Sequence, residues 1–208
     1  MFLKERAFKM KNKNSAEKYF NQKDFSIIEI VLIIISVVSL IIAAVVQGGG
    51  PIGLPILLAC IVGFCICRSF KIKDSEIEET LEKIIQDNKI ECSENAIQCY
   101  DLKGAIIKKR KDGKFISPNY YITDISFSSE ETIFDICVID LIKQSAEKLS
   151  HKVDLKKSII LTEETVKTRA GVVKASYLKV DGGTVIPVAL NDYKASQVIQ
   201  KVCERHKK

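Results

Sequence analysis

The sequence predicts an α+β protein. A two-helix transmembrane hairpin is followed by an antiparallel β-sheet or small barrel with a C-terminal helix. Three observations predict it. An apolar block runs from Ile27 to Cys67, interrupted only by Gln47-Gly48-Gly49-Gly50-Pro51. After Lys89, short alternating apolar runs are separated by Gly, Asn and Asp turn signals. Near the end, Ala195, Val198, Ile199 and Val202 fall at helical spacing.

Ile27 to Val46 carries one charge, Glu29, at its leading edge. A helix of that length reaches about 30 Å, the thickness of the hydrocarbon core. Glu29 is expected at the interface, reaching headgroups or pairing with Lys23. Ser36 and Ser39 are expected to return their hydroxyls to backbone carbonyls. The Gly-Gly-Gly-Pro stretch cannot continue a helix, because glycine carries the entropic cost and proline lacks a donor. A second span follows from Ile52 to Cys67, extending toward Phe70 with Arg68 snorkelling. Gly53, Ala59 and Gly63 are small enough for close helix approach. Such paired apolar runs are too uniform for an amphipathic surface helix and too long for a signal peptide.

The first 24 residues hold seven basic residues against three acidic ones. Arg68, Lys71 and Lys73 follow the second span, and the connection between spans is uncharged. The positive-inside bias then places both termini in the cytoplasm, at the inner or plasma membrane. The bilayer is the first expected partner. The expected organisation is a basic tail over 1–24, the hairpin over 25–70, a linker helix over 71–88 and a β-rich domain over 89–208.

The net charge of +6 over 208 residues comes largely from the tail. The remainder is near balance, which argues against a nucleic-acid partner. Seven cysteines show no paired spacing and no grouping with the two histidines, so no zinc site is expected. Free thiols fit a reducing compartment. Cys65 and Cys67 are juxtamembrane candidates for acylation, or simply small packing groups.

Asp74 to Asn88 puts Ile77, Leu81, Ile84 and Ile85 on one helical face, with Ser75 and Glu78 at capping-box spacing. Lys89 to Tyr100 reads as a hairpin. Strands are expected at Ala105–Lys109, Tyr120–Ser128, Ser158–Lys167, Ala175–Val180 and Thr184–Leu190. Thr132 to Ile142 fits a central strand or a helix, and Lys143 to Lys152 has helical or loop character. Turns are expected at Lys111-Asp-Gly-Lys114, Arg169-Ala-Gly171 and Asp181-Gly182-Gly183. Asn191 or Asp192 is expected to cap the final helix.

The run Ser158 to Val166, the strand Thr184-Val-Ile-Pro-Val-Ala-Leu190 and the helix from Tyr193 to Cys203 follow an order that resembles the pleckstrin-homology superfold. That group includes small bacterial membrane proteins carrying such a domain beside a two-span anchor. The resemblance covers Lys89 to Lys208 and rests on the order of elements rather than on a motif. It implies a pleckstrin-homology-like cytoplasmic domain whose early basic loop touches anionic lipid.

The candidate binding residues are Lys108, Lys109, Arg110, Lys111 and Lys114, with Lys103 nearby. Beside a membrane, each such charge contributes roughly 1 kcal/mol of attraction to anionic headgroups. The plainer reading is a solvated strand edge guarded by lysine. No HExxH, GxSxG or GxxxxGK[ST] pattern occurs, so no catalysis and no cofactor are expected. The sequence therefore points to a membrane-tethered module that binds a protein partner or anionic lipid headgroups. The alternative is a structural or assembly subunit that packs through its hairpin, with a homo-oligomer as one form. A membrane-bound enzyme with an unrecognised site ranks last.

Overall fold

The computed structural model describes residues 15–23, 25–45, 50–104, 106–168, 171–180, 183–190 and 192–207. The basic residues before position 15, Gln47 to Gly49, Arg169-Ala170, Asp181-Gly182 and Asn191 lie outside the described residues, as do the turn and tail expectations placed on them. The chain divides into two compact units. One is Asn21–Lys73; the other is Asp74–Lys208 together with residues 15–20.

The smaller unit is a helical hairpin of α2 (Ile27–Val45) and α3 (Gly50–Ser69). Ser26 and Glu29 open α2 with a reciprocal capping box: Ser26 N–H donates to Glu29 Oε2 at 2.6 Å, and Glu29 N–H donates to Ser26 Oγ at 3.2 Å. Glu29 does not pair with Lys23. Its carboxylate meets Arg68 at 3.2 Å and Lys71 at 2.7 Å, both beyond the second helix's apolar run. Two cations close by give a fully covered carboxylate the partners it needs. Ser36 and Ser39 donate to the carbonyls of Leu32 and Ile35, at 2.7 and 2.8 Å. The helices approach closely at Gly53, where an added Cβ would lie 2.6 Å from Ser39 O and 2.8 Å from Ala43 Cβ. Both helices are long and apolar enough to cross a membrane. Their outward side chains are uncovered: Ile34 is 57% exposed and Leu58 63%.

The larger unit begins with residues 15–20 of a short helix, α1 (residues 15–21), and α4 (Asp74–Asp87). Helix α4 buries Ile77, Thr80, Leu81 and Ile84, the face its spacing predicts. It starts at Asp74, and Glu78 turns to Arg110 instead of closing a capping box with Ser75.

Nine strands follow among the described residues: β1 (Ile97–Tyr100), β2 (Lys108–Lys109), β3 (Phe115–Ile116), β4 (Asn119–Phe127), β5 (Glu131–Asp140), β6 (Ser145–Asp154), β7 (Ile159–Thr168), β8 (Gly171–Val180) and β9 (Val185–Val188). They form antiparallel sheets in the orders β1-β4-β5-β6 and β7-β8-β9, with β2-β3 as a small ribbon. Helix α5 (Tyr193–Arg205) ends the chain, and the Asp192 carboxylate caps it by accepting from Lys194 and Ala195 N–H. The core lies where the two larger sheets meet α5. Ile125, Phe134 and Ile136 pack there with Leu178, Ile186 and Ile199.

Three expectations need correction. The strands do not close into a barrel. Val180 N–H donates to Thr184 O, which fixes the parity of the β8–β9 ladder and turns the Pro187 nitrogen to the outer edge of β9. Proline has no hydrogen to donate there, so β9 offers β1 a poor partner. Residues 89–100 do not form a hairpin either. A turn at Ser93–Ala96 precedes β1, whose partner is the distant β4. Finally, Thr132–Ile142 is the strand that one of its two readings gave, but 143–152 is neither helix nor loop and forms the second arm of a β-hairpin. Strand β6 pairs with β5 from Asp140↔Ser145 to Glu131↔Asp154. The Asp140 carboxylate accepts from Ile142 and Lys143 N–H to start the turn, and Gln144 completes it at φ 52°.

Candidate functional site

The basic run sits on β2 and the turn into β3, where Arg110 N–H donates to Lys114 O at 2.8 Å and Gly113 takes φ 87°. Two of its five candidate residues face the unit's own body. Lys108 Nζ donates to Tyr19 O at 2.8 Å and lies 3.9 Å from the Tyr19 ring centroid. Arg110 binds Glu78 at 2.6 Å, with Asp112 and Asp74 at 3.7 and 3.9 Å. Lys111 contributes its backbone N–H to Asp74 Oδ2 at 3.2 Å. Lys109 rests 5.7 Å from the Phe115 ring. The side chains of Lys109, Lys111 and Lys114 are exposed. Lys103 pairs with Glu164 at 3.1 Å and covers the Tyr177 ring at 4.8 Å.

Tyr19 is fully buried and donates its hydroxyl to Asp74 Oδ1 at 2.6 Å. Burial, then that hydrogen bond, pushes the phenol pKa well up. Burial also works against the Asp74 carboxylate. Hydrogen bonds from Tyr19 and Lys111, and the charges of Arg110 and Lys108, outweigh it and hold Asp74 below its ordinary value. The basic run is therefore partly a clasp that ties α1 and α4 to the β2–β3 ribbon.

Beside this clasp lies a cleft of about 1190 Å³. Its walls come mainly from β1, the β2–β3 turn, the middle of β8, and the end of β9 with the segment after it. Tyr100 and Tyr120 form an edge-on pair in its wall, with ring centroids 4.8 Å apart. Burial pushes the Cys99 thiol and the Tyr100 phenol each up to about 12. Both stay protonated at neutral pH, as neutral hydrogen-bond donors rather than bases. Lys114 and Lys174 line the same cleft and are exposed. Of the sequence candidates, Arg110 and Lys114 reach this cleft; Lys108, Lys109 and Lys111 are not among its walls. Sequence reasoning passed over Tyr100, Tyr120 and Lys174. The one local signal was Pro187, since proline inside a strand marks an edge.

The chain is a mixed α+β protein with two span-length apolar helices and antiparallel sheets. No protein-family model, no curated protein and no solved structure matches it.

Proposed function

We propose that this chain is a membrane-tethered binding module for a protein partner. The hairpin crosses the bilayer twice, both termini are cytoplasmic, and the cleft is the binding site. The carrying observation is the cleft itself, whose walls include β1, β8 and an aromatic pair. Pockets of this kind, apolar with a few convergent polar groups, are the usual place for recognition. The exposure of α2 and α3 supports the membrane reading, because a soluble protein rarely leaves that much apolar surface uncovered. The sheet order followed by α5 supports an open pleckstrin-homology-like arrangement. Fold analogy does not choose the ligand.

A second reading keeps anionic lipid as the ligand, through the exposed side chains of Lys109, Lys111 and Lys114. It is the weaker one, because Lys108 and Arg110 are engaged within the unit. The assembly-subunit reading loses one of its motives, because Gly53 uses its small surface against α2 of the same hairpin.

The test is site-specific photo-crosslinking in native membranes of the full chain. A photoreactive residue at Lys174, in the cleft wall, is compared with one at Lys148 on β6 and one at Lys111. A protein adduct from position 174 that is missing from 148 is the expected result. Lipid adducts from 111 with no protein adduct from 174 would overturn the proposal in favour of the lipid reading.

A further inference from the structure

The base of the helical hairpin holds an arginine that the fold positions without using all of its donors. Arg68 directly follows the apolar run of α3. Counted from Ile52, it lies about 24 Å along the helix, near the edge of a hydrocarbon layer about 30 Å thick. Its Nε is 3.2 Å from Glu29 Oε1, in the first turn of α2. Its Cζ lies over the rings of Phe25 and Phe64, at 4.8 and 5.3 Å. One ion pair and two ring contacts therefore hold the guanidinium in place.

The two terminal nitrogens, Nη1 and Nη2, are left over. Neither takes part in a hydrogen bond among the described residues, and the side chain is 40% exposed. Glu29 is not free to turn toward them. Its carboxylate is fully covered, and it also accepts from Ser26 N–H at 2.6 Å and from Lys71 Nζ at 2.7 Å. Arg68 and Lys71 against Glu29 leave this group of three with one positive charge. The open Nη1–Nη2 edge matches two oxygens of one phosphate, the bidentate pairing that suits arginine.

Depth points to the source of that phosphate. Where the hairpin crosses a bilayer, the end of α3 stands at the level of the lipid headgroups. The uncovered apolar faces of α2 and α3 run on from there and offer a surface for acyl chains. A zwitterionic headgroup would bring its own cation beside Arg68 and Lys71, and an anionic one would not.

We propose that Arg68, braced by Glu29, Phe25 and Phe64, binds the phosphate of one anionic phospholipid at the base of the hairpin. This rests on the hairpin crossing the bilayer and is independent of what the cleft binds. It uses none of Lys109, Lys111 and Lys114.

The test titrates the full chain in mild detergent with dioleoylphosphatidylglycerol or dioleoylphosphatidylcholine, and native mass spectrometry counts the lipid that each chain keeps. The expected result is a single phosphatidylglycerol, held about fivefold or more tightly than phosphatidylcholine. Arg68→Lys keeps the charge but loses the fork, and should weaken phosphatidylglycerol about threefold. Arg68→Gln should weaken it about tenfold. Replacing Lys109, Lys111 and Lys114 together with Gln should leave it unchanged. Circular dichroism and a thermal melt in micelles verify that the variants fold, and the wild type's choice between the two lipids tests the site without any variant. Equal retention of both lipids, or full retention by a folded Arg68→Gln chain, would overturn the proposal. So would loss in the triple lysine variant, which would put the lipid on the larger unit. Selective loss in phosphate buffer, against chloride of equal ionic strength, would make the ligand a free anion and overturn it too. Equal retention by a chain that resists carbonate extraction from membranes leaves the membrane tether standing, whereas a chain that carbonate releases overturns both.

Discussion

The Tyr19 hydroxyl donates to Asp74 Oδ1 at 2.6 Å, joining residues that lie on either side of both apolar helices in the sequence. Asp74 also accepts from Lys111 N–H and sits beside Arg110, so one carboxylate serves α1, α4 and the β2–β3 turn. Tyr19→Phe should destabilise the larger unit by about 1 kcal/mol, and Asp74→Ala by about 2–3 kcal/mol because it orphans several donors. A double-mutant cycle by thermal denaturation in detergent should show coupling of about 1 kcal/mol. Simple additivity would mean that the bond contributes nothing to stability.

The same pair sets a pH dependence. The Asp74 pKa is held below its ordinary 3.8, so its contribution is present above that value and is lost as pH falls through the lower folded value. The Tyr19 pKa is raised above 10.0, so its contribution is full below that value and is lost only as pH climbs through the raised one. The clasp should therefore hold steady from about pH 5 to about pH 9 and weaken toward about pH 3. Melting the wild type and Asp74→Asn across that range checks this. The gap between them should narrow on the acid side, and a constant gap would contradict the assignment.

In the hairpin, Gly53 and Gly63 should respond differently. A Cβ at Gly63 would meet Leu32 at an ordinary 3.5 Å, whereas one at Gly53 would strike backbone at 2.6 Å. Gly63→Ala should be tolerated. Gly53→Val should push α2 and α3 apart and cost about 1–3 kcal/mol. Resistance of the full chain to unfolding in mixed micelles reads the difference, and equal effects would place the close contact elsewhere.

At the far end of the chain, His206 is buried beyond α5. Its ring nitrogens meet Thr132 Oγ1 at 2.9 Å and Lys157 O at 2.8 Å. These contacts tie the helix end to β5 and to the β6–β7 connection. His206→Ala should cost about 1–2 kcal/mol, since it leaves the buried Thr132 hydroxyl without its ring partner and removes the contact to Lys157 O. Hydrogen exchange should show the last turn of α5 opening first, and unchanged protection there would count against this role.

Some elements were legible because their determinants are local. Helix α5 announces itself through Asp192 and a helical apolar stripe, and α4 through the spacing of Ile77, Leu81 and Ile84. Strand β7 follows its apolar and β-branched run, and β8 opens at Gly171, whose φ of 129° suits glycine. Strand β6 was not legible. It is an edge strand, mostly exposed, and Ser145–Asp154 carries too few apolar residues to show a period of two. Only its register against β5 makes it a strand. The basic run was visible as charge, but its division between exposed and engaged residues was not. Arg110 finds Glu78 through folding, and sequence distance gives no hint of that.

Two span-length apolar helices, two amphipathic ones and a β-rich remainder are readable from residue order alone. Those follow from hydrophobic periodicity and backbone preference within a few residues. Tertiary structure alone decided that Glu29 meets Arg68 and Lys71, that Tyr19 meets Asp74, and that β1 and β9 stay unladdered around an open cleft. Ion-pair choice and strand register depend on groups brought together from distant parts of the chain, and no local pattern encodes that geometry.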